Sequence, residues 1–431
     1  MLIHHRLTKR NGSFYSTERF VPMDIIMTTI TASGSASAET TISNWMTFLL
    51  AAACGLIVAN IYYAQPLIGP IGAELGLPPH AAGLIVTMAQ IGYGVGLLFI
   101  VPLGDLIENR RLVLGILAVA TLALLGAAIS TQPSAFLAAM LFVGLGSVAV
   151  QTLIPYAAHL APEARRGRVV GNVSVGLLLG IMLSRPFSSF ITALSSWHVV
   201  YFTSCAVMIL LTAVLRFALP RRVPTARLSY GALLASMVHI ARSTPVLRRR
   251  ALYQAFLFAA FSLFWTTTPL LLAGPDFGLT QRGIGLFALA GVAGAIAAPL
   301  AGRVADRGWS RPATAFAMLC VAVAFLVTHI APSGSTLSLA LLVAAAIVLD
   351  FGVQTNLVLG YRDLFALGAA HRSRLNGLYM ATFFIAGAIG SGVGGWAYAQ
   401  DGWPLVSWIG LALPVAALLC FATEFMSRQS A

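Results

Sequence analysis

The chain has 431 residues, 58% of them hydrophobic and only 9% charged, and its mean hydropathy is +0.87. That composition excludes an ordinary soluble globular protein and points to the lipid bilayer. A formal charge of +13 suggests nucleic acid at first sight, but the basic residues sit in small groups at the ends of apolar runs, which membrane orientation explains better.

Residues 1–43 are polar and rich in Ser and Thr, with His4, His5, Arg6, Lys9 and Arg10 near the start and Asp24 interrupting a modest apolar patch. A signal peptide needs an uninterrupted apolar region, so a disordered cytoplasmic leader is expected. Beyond it come twelve apolar runs. About 20 apolar residues cross the hydrocarbon core, and helices satisfy every backbone hydrogen bond there. The runs predict helices at 44–66, 81–103, 111–130, 134–158, 169–191 and 197–218, then 251–273, 283–301, 311–331, 336–360, 375–397 and 404–425. Between the two sets lies a basic linker, 220–250, with Arg221, Arg222, Arg227, Arg242 and the run Arg248, Arg249 and Arg250. Residues 427–431 form a short tail.

Uncommon residues repeat between the two sets. Gly76-Leu77 answers Gly278-Leu279, Gln151-Thr152 answers Gln354-Thr355, ARRGR at 164 answers HRSR at 371, and Trp197 answers Trp403. The expected fold is an all-α membrane protein of twelve transmembrane helices in two pseudo-symmetric six-helix bundles, 44–219 and 251–426. Arg110, Arg111, Arg165, Arg166, Arg168, Arg303, Arg307, Arg311, Arg372, Arg374 and the linker all fall on one side of that layout. The positive-inside rule makes that side cytoplasmic, with both termini there.

Two charged turns join apolar runs at corresponding places. The fuller is GRVADRGWSR, residues 302–311, and the shorter is PLGDLIENRR, residues 102–111. Gly302 and Gly104 would let neighbouring backbones approach, Gly308 can take a left-handed turn conformation, and Asp306 can accept hydrogen bonds from an exposed helix start. These turns resemble the hairpin of the major facilitator superfamily, which carries Gly, Asp-Arg, Gly and further basic residues between helices 2 and 3 and again, more weakly, between helices 8 and 9. In this chain the second copy is the fuller, and in the first the acid follows the glycine directly.

The resemblance implies that Gly104, Asp105, Arg110, Arg111, Gly302, Asp306, Arg307, Gly308 and Arg311 bias the two bundles between inward-open and outward-open states. It also implies that helices 2, 5, 8 and 11 meet across the bundles, with Gly92, Gly96, Gly176, Gly180, Gly291, Gly294 and the glycines of the eleventh run as packing seams. Helices 1, 4, 7 and 10 are implied to line the substrate cavity. Each carries a polar or aromatic set: Asn60, Tyr63 and Gln65; Ser147, Gln151 and Tyr156; Gln254, Ser262, Trp265 and Thr266; and Asp350 with Gln354. Any one of the uncharged residues serves equally as an interhelical hydrogen bond.

The fifth run resembles the superfamily's antiporter motif, a glycine-rich helix with Gly-Pro, but has Arg185-Pro186 in that place. Arg185 is either a side chain that snorkels to the outer surface, or an anion contact or lock between the bundles. Asp350 is the one acid placed well inside an apolar span, about 21 Å from the outer end of its helix at 1.5 Å per residue. Low dielectric disfavours an ionised carboxylate, so Asp350 is the candidate proton-coupling group, against the alternative of a permanent ion pair or hydrogen-bonded acid. Arg185 is a conceivable partner for such a pair, although counting along the helices places the two at different depths.

The expected function is secondary transport, proton-coupled efflux of a small organic molecule across a bacterial inner membrane by a monomer. The alternatives are an importer of the same fold and, from another class, a transporter-like sensor or membrane-embedded enzyme. No cofactor, metal site or nucleic-acid partner is expected. Cys54, Cys205, Cys320 and Cys420 each lie in an apolar run without paired spacing and read as packing residues.

Overall fold

The computed structural model of the chain describes residues 42–224, 229–368 and 372–429. Most of the expected leader, Arg227 of the linker, His371 of the second basic repeat and the last two residues of the tail lie outside these. Among the described residues every regular element is helical.

The first half contains α1 (Asn44–Tyr62), α2 (Ile68–Leu75), α3 (Leu84–Phe99), α4 (Asn109–Ile129), α5 (Pro133–Ser147), α6 (Ala149–Leu160), α7 (Arg166–Leu194) and α8 (Trp197–Ala218). Then come α9 (Tyr230–Ser243), α10 (Pro245–Ala273), α11 (Gln281–Ala288), α12 (Ala297–Asp306), α13 (Ser310–Leu326), α14 (Thr336–Phe365) and α15 (Arg372–Gln429). Local chemistry sets several of their ends. Ser43 caps α1 by accepting from the Met46 amide at 3.1 Å, and Ser335 caps α14 through Ser338 at 3.0 Å. Pro133 and Pro245 open α5 and α10, where a missing amide proton costs nothing.

Among the described residues, ten helical segments are long and apolar enough to cross a membrane. The last of them, Arg372–Glu424, bends at Asp401 and Gly402, whose backbone leaves the helical region. Residues 281–306 run as α11, a 3-10 stretch (Leu289–Ile296) and α12. Large apolar side chains such as Leu122, Leu194 and Phe217 are fully presented to the surroundings, as lipid rather than water allows.

The linker departs from the loop expected at 220–250, because α9 occupies its middle. Leu233, Met237 and Ile240 recur at helical spacing and are buried, so an amphipathic face drives this helix. Tyr230 at its start donates to the Phe99 carbonyl at 2.8 Å.

The glycine seams follow expectation only in part. Gly176 and Gly180 pack against α1, where a β-carbon on Gly176 would lie 2.8 Å from the Ala51 Cα, and Gly92 and Gly96 pack on α5 and Val148 of their own half. Gly291 does face the other half, at Arg185, and so does Gly395 of the eleventh run, where a β-carbon would sit 2.7 Å from the Gly83 Cα. Around it Thr87 donates to the Ala388 carbonyl at 2.9 Å and Gln90 to Ser262 at 2.7 Å.

Candidate functional site: a buried arginine, tryptophan and aspartate between the halves

Arg185 on α7, Trp265 on α10 and Asp350 on α14 meet in the interior, with 2%, 2% and 5% of their surfaces exposed. The Trp265 indole N–H donates to Asp350 Oδ1 at 2.8 Å. The Arg185 guanidinium stacks over the Trp265 ring at 4.2 Å and faces Phe261 and Tyr62 at 5.1 and 5.3 Å. Its Nε donates to Gln65 Oε1 at 2.6 Å, just beyond the end of α1. Gly291 closes the node: a β-carbon there would meet Asp350 Oδ2 at 3.0 Å, Arg185 Nη1 at 3.2 Å and Trp265 Cζ2 at 3.2 Å. Any larger residue would press between the acid and the base.

Snorkelling is thereby ruled out for Arg185. Helix direction explains how two residues placed at different depths come together. Side chains lean toward the N-terminus of their helix. The N-terminus of α7 is at the arginine-rich end, so Arg185 leans inward, and α14 starts at the opposite end, so Asp350 leans to meet it. Arg185 Nη2 and Gln65 Nε2 are buried without a hydrogen-bond partner. The node is a cation and an anion contributed by different halves, held in an aromatic cage with donor capacity to spare.

A second polar cluster lies toward the arginine-rich end. Asn356 Nδ2 donates to Gln254 Oε1 at 2.7 Å, and Gln254 Nε2 and Asn356 Oδ1 are unpartnered. Gln151 donates to Tyr93 at 3.0 Å and accepts from Asn376 of the other half at 3.4 Å. Thr266 is not part of that cluster; next to Trp265 on α10, it shares a bond with Ser391 at 3.0 Å.

Other expected cavity residues lie elsewhere. Asn60 accepts from Ser204 and donates to the Ile57 carbonyl, joining α1 to α8 within one half. Ser147 bonds the Val143 carbonyl of its own helix and Tyr156 the Pro220 carbonyl, while Tyr63 lines a groove between α1 and α7. Gln354 is half-buried, its side chain makes no hydrogen bond to the described residues, and nearby Asn356 takes the polar contact instead. Sequence reasoning missed Gln90, Asn356 and Asn376. Each is an amide inside or at the mouth of an apolar run, which was signal enough to include them.

The charged turns behave differently. Gly308 has φ +80°, the left-handed conformation expected. Gly302 has open space where a β-carbon would point and Gly104 meets only side-chain methyls at 3.8 Å and beyond, so neither serves close backbone approach. Asp306 ends α12 rather than capping α13, and its carboxylate accepts from Arg362 at 2.7 Å within the same half. Arg111 pairs with Glu108 at 2.9 Å and Arg110 donates to the Leu219 carbonyl at 3.4 Å. Asp105 lines a small cavity with Gln151 and His159, and Arg307 and Arg311 are exposed.

At the opposite end His198 sits between the Ala128 carbonyl at 2.7 Å and Glu74 Oε1 at 2.8 Å, and Trp197 donates to Glu74 Oε2 at 2.6 Å. His329 meets Ser407 at 2.9 Å. Both histidines are satisfied at the margin, away from the node. The four cysteines are free thiols.

Residues 47–361 match the family model of the Major Facilitator Superfamily. The uncharacterized transporter YgaY of Escherichia coli is 37% identical over 387 residues, covering 89% of this chain and 96% of that protein. A probable transporter of Streptomyces coelicolor is 36% identical, covering 82% of each chain. Among solved structures the nucleoside transporter NupG superposes with a TM-score of 0.71 at 15% identity, covering 88% of this chain and 99% of that one, which establishes likeness of fold. The chain therefore belongs to the Major Facilitator Superfamily, as a multi-pass membrane transporter of small molecules and not an enzyme.

Proposed function

We propose that the chain is a proton-coupled secondary transporter that exports a small organic molecule by alternating access, with Asp350 as the carboxylate that takes up and releases the proton. The observation that carries this reading is the node of Arg185, Trp265 and Asp350, in which a buried base on one half faces a buried acid on the other. In low dielectric such a pair attracts far more strongly than in water. With Asp350 ionised, the attraction draws α7 toward α10 and α14. A proton on Asp350 cancels it and lets the halves part, and loss of that proton to the other side restores it. Alternating access requires a contact of this kind, made in one state and lost in the other.

The rest of the architecture follows the same reading. Counting Arg372–Glu424 as two crossings and residues 281–306 as one gives twelve. The bundles are 44–219 and 251–426, the linker and both termini are cytoplasmic, and the protein works as a monomer in a bacterial inner membrane. The exposed hairpins around Asp105 and Asp306 bias the two states through pairs remade in each cycle.

Import is the second reading, and Arg185 favours it for one class of substrate. An anion that took the spare donors of Arg185 would leave Asp350 free to carry a proton in the same direction. A substrate screen in inside-out vesicles with an imposed proton gradient tests both. Accumulation that collapses when the gradient is discharged supports coupling, the direction of the gradient that drives it separates export from import, and accumulation indifferent to the gradient contradicts both.

A further inference from the structure

One open groove lies away from the contact between the halves. It runs along the outside of the first half, between α1 and α7, with a volume of about 770 Å³. Its floor is built from Ala51, Ala52, Gly55, Gly176 and Gly180, where the two backbones touch. Its walls are Phe48, Leu56, Val175, Leu179, Leu183 and Phe187, all of them exposed. One end is different: Arg165 and Arg168 line it together with Asn44 and Asn172. Neither arginine pairs with a carboxylate among the described residues.

We propose that this groove is a binding site for an anionic phospholipid of the leaflet at the arginine-rich end, its headgroup held by Arg165 and Arg168 and one acyl chain lying in the trough between α1 and α7. The charge fits, since basic residues at the membrane surface each favour an anionic headgroup. The length is more than sufficient. From Arg168 to Phe187 is about 28 Å at 1.5 Å per residue, so the groove runs past one leaflet of a ~30 Å hydrocarbon core, and its arginine-proximal part, about 16 Å as far as Leu179, takes one acyl chain. The chemistry changes along the groove as it does along a lipid, from cations and amides to small apolar floor and branched apolar wall. Its described lining residues all come from α1, α7 and the residues flanking them, so the groove stands apart from the contact between the halves where substrate is expected. A lipid bridging α1 and α7 would brace the seam at Gly55 and Gly176 from outside.

Native mass spectrometry of the full chain, purified in mild detergent and titrated with phosphatidylglycerol or phosphatidylcholine, tests this directly. Wild type should retain phosphatidylglycerol about tenfold better than phosphatidylcholine, the preference expected of two basic contacts. The R165Q/R168Q double variant should lose that preference, R168K should keep it, and R221Q/R222Q, at the same end but outside the groove, should leave it unchanged. Ala52→Trp, which fills the floor, should lower retention of both lipids. Equal retention of the two lipids by wild type, or an undiminished preference in R165Q/R168Q, overturns the proposal. So does a dimer that cross-links through a cysteine placed at Leu183, since a second copy would then be the occupant.

Discussion

Asp306 and Asp350 each face an arginine, and their surroundings differ as far as one chain permits. The Asp306 side chain is 76% exposed and meets Arg362 at 2.7 Å at the end of α12. Asp350 is 5% exposed, accepts from Trp265 and shares the space beside Gly291 with Arg185. Water screens the first pair, whose net worth is about 0–1 kcal/mol, so it can form and break in every cycle at little cost. The second pair has no solvent to fall back on. Removing either partner there leaves a buried charge uncompensated, at about 3–5 kcal/mol. Similar side chains thus serve a weak bias at the surface and a strong one at the core.

The comparison breaks most easily at Arg185. R185Q should lower stability by about 3–5 kcal/mol, read as a fall in the thermal unfolding midpoint of the purified protein in detergent. Adding D350N should recover much of that loss, because the stranded charge is then gone. A single variant no less stable than wild type would place the buried pair in the same class as the exposed one. Trp265→Phe comes next. It keeps the ring that Arg185 stacks on but removes the donor to Asp350, and should cost about 1–3 kcal/mol in the same assay.

How much of this could be read from sequence depends on what each feature asks of it. The apolar runs are statements about hydropathy, and the described helices follow them, with the run at 283–301 broken by a 3-10 stretch. A turn glycine such as Gly308 is legible because only its own backbone is involved. Gly302 and Gly104 are not, because close approach depends on what lies opposite, and no described backbone comes near either. Asp350 and Arg185 are conspicuous singly, each being a charge inside an apolar run. The sequence makes Arg185 a conceivable partner for Asp350, but depth counted along the backbone sets the two apart, because it leaves out the opposite lean of side chains on antiparallel helices. Gln354 and Asn356 show the same gap, since two amides in one run differ only in helical phase and their partners decide which is buried. The helix α9 was hidden by the arginines around it, although its 3.6-residue pattern was present.

The smallest effect is expected at the surface. Asp306→Asn should change stability by less than about 1 kcal/mol and leave membrane insertion intact. If the hairpin biases the two states, transport should slow by a few-fold. Unchanged turnover would reduce Asp306 to a residue that fixes the turn, and a loss of stability as large as that of R185Q would erase the distinction between the two aspartates.

The central claim is that Asp350 carries the coupling proton, and D350N tests it most directly because the amide copies the protonated acid in shape and charge. Once a substrate is identified, wild type and D350N can be compared in proteoliposomes for accumulation driven by a proton gradient and for exchange with no gradient. The account predicts that D350N loses accumulation while exchange persists. A D350N protein that still concentrates substrate with the pH dependence of wild type would contradict it.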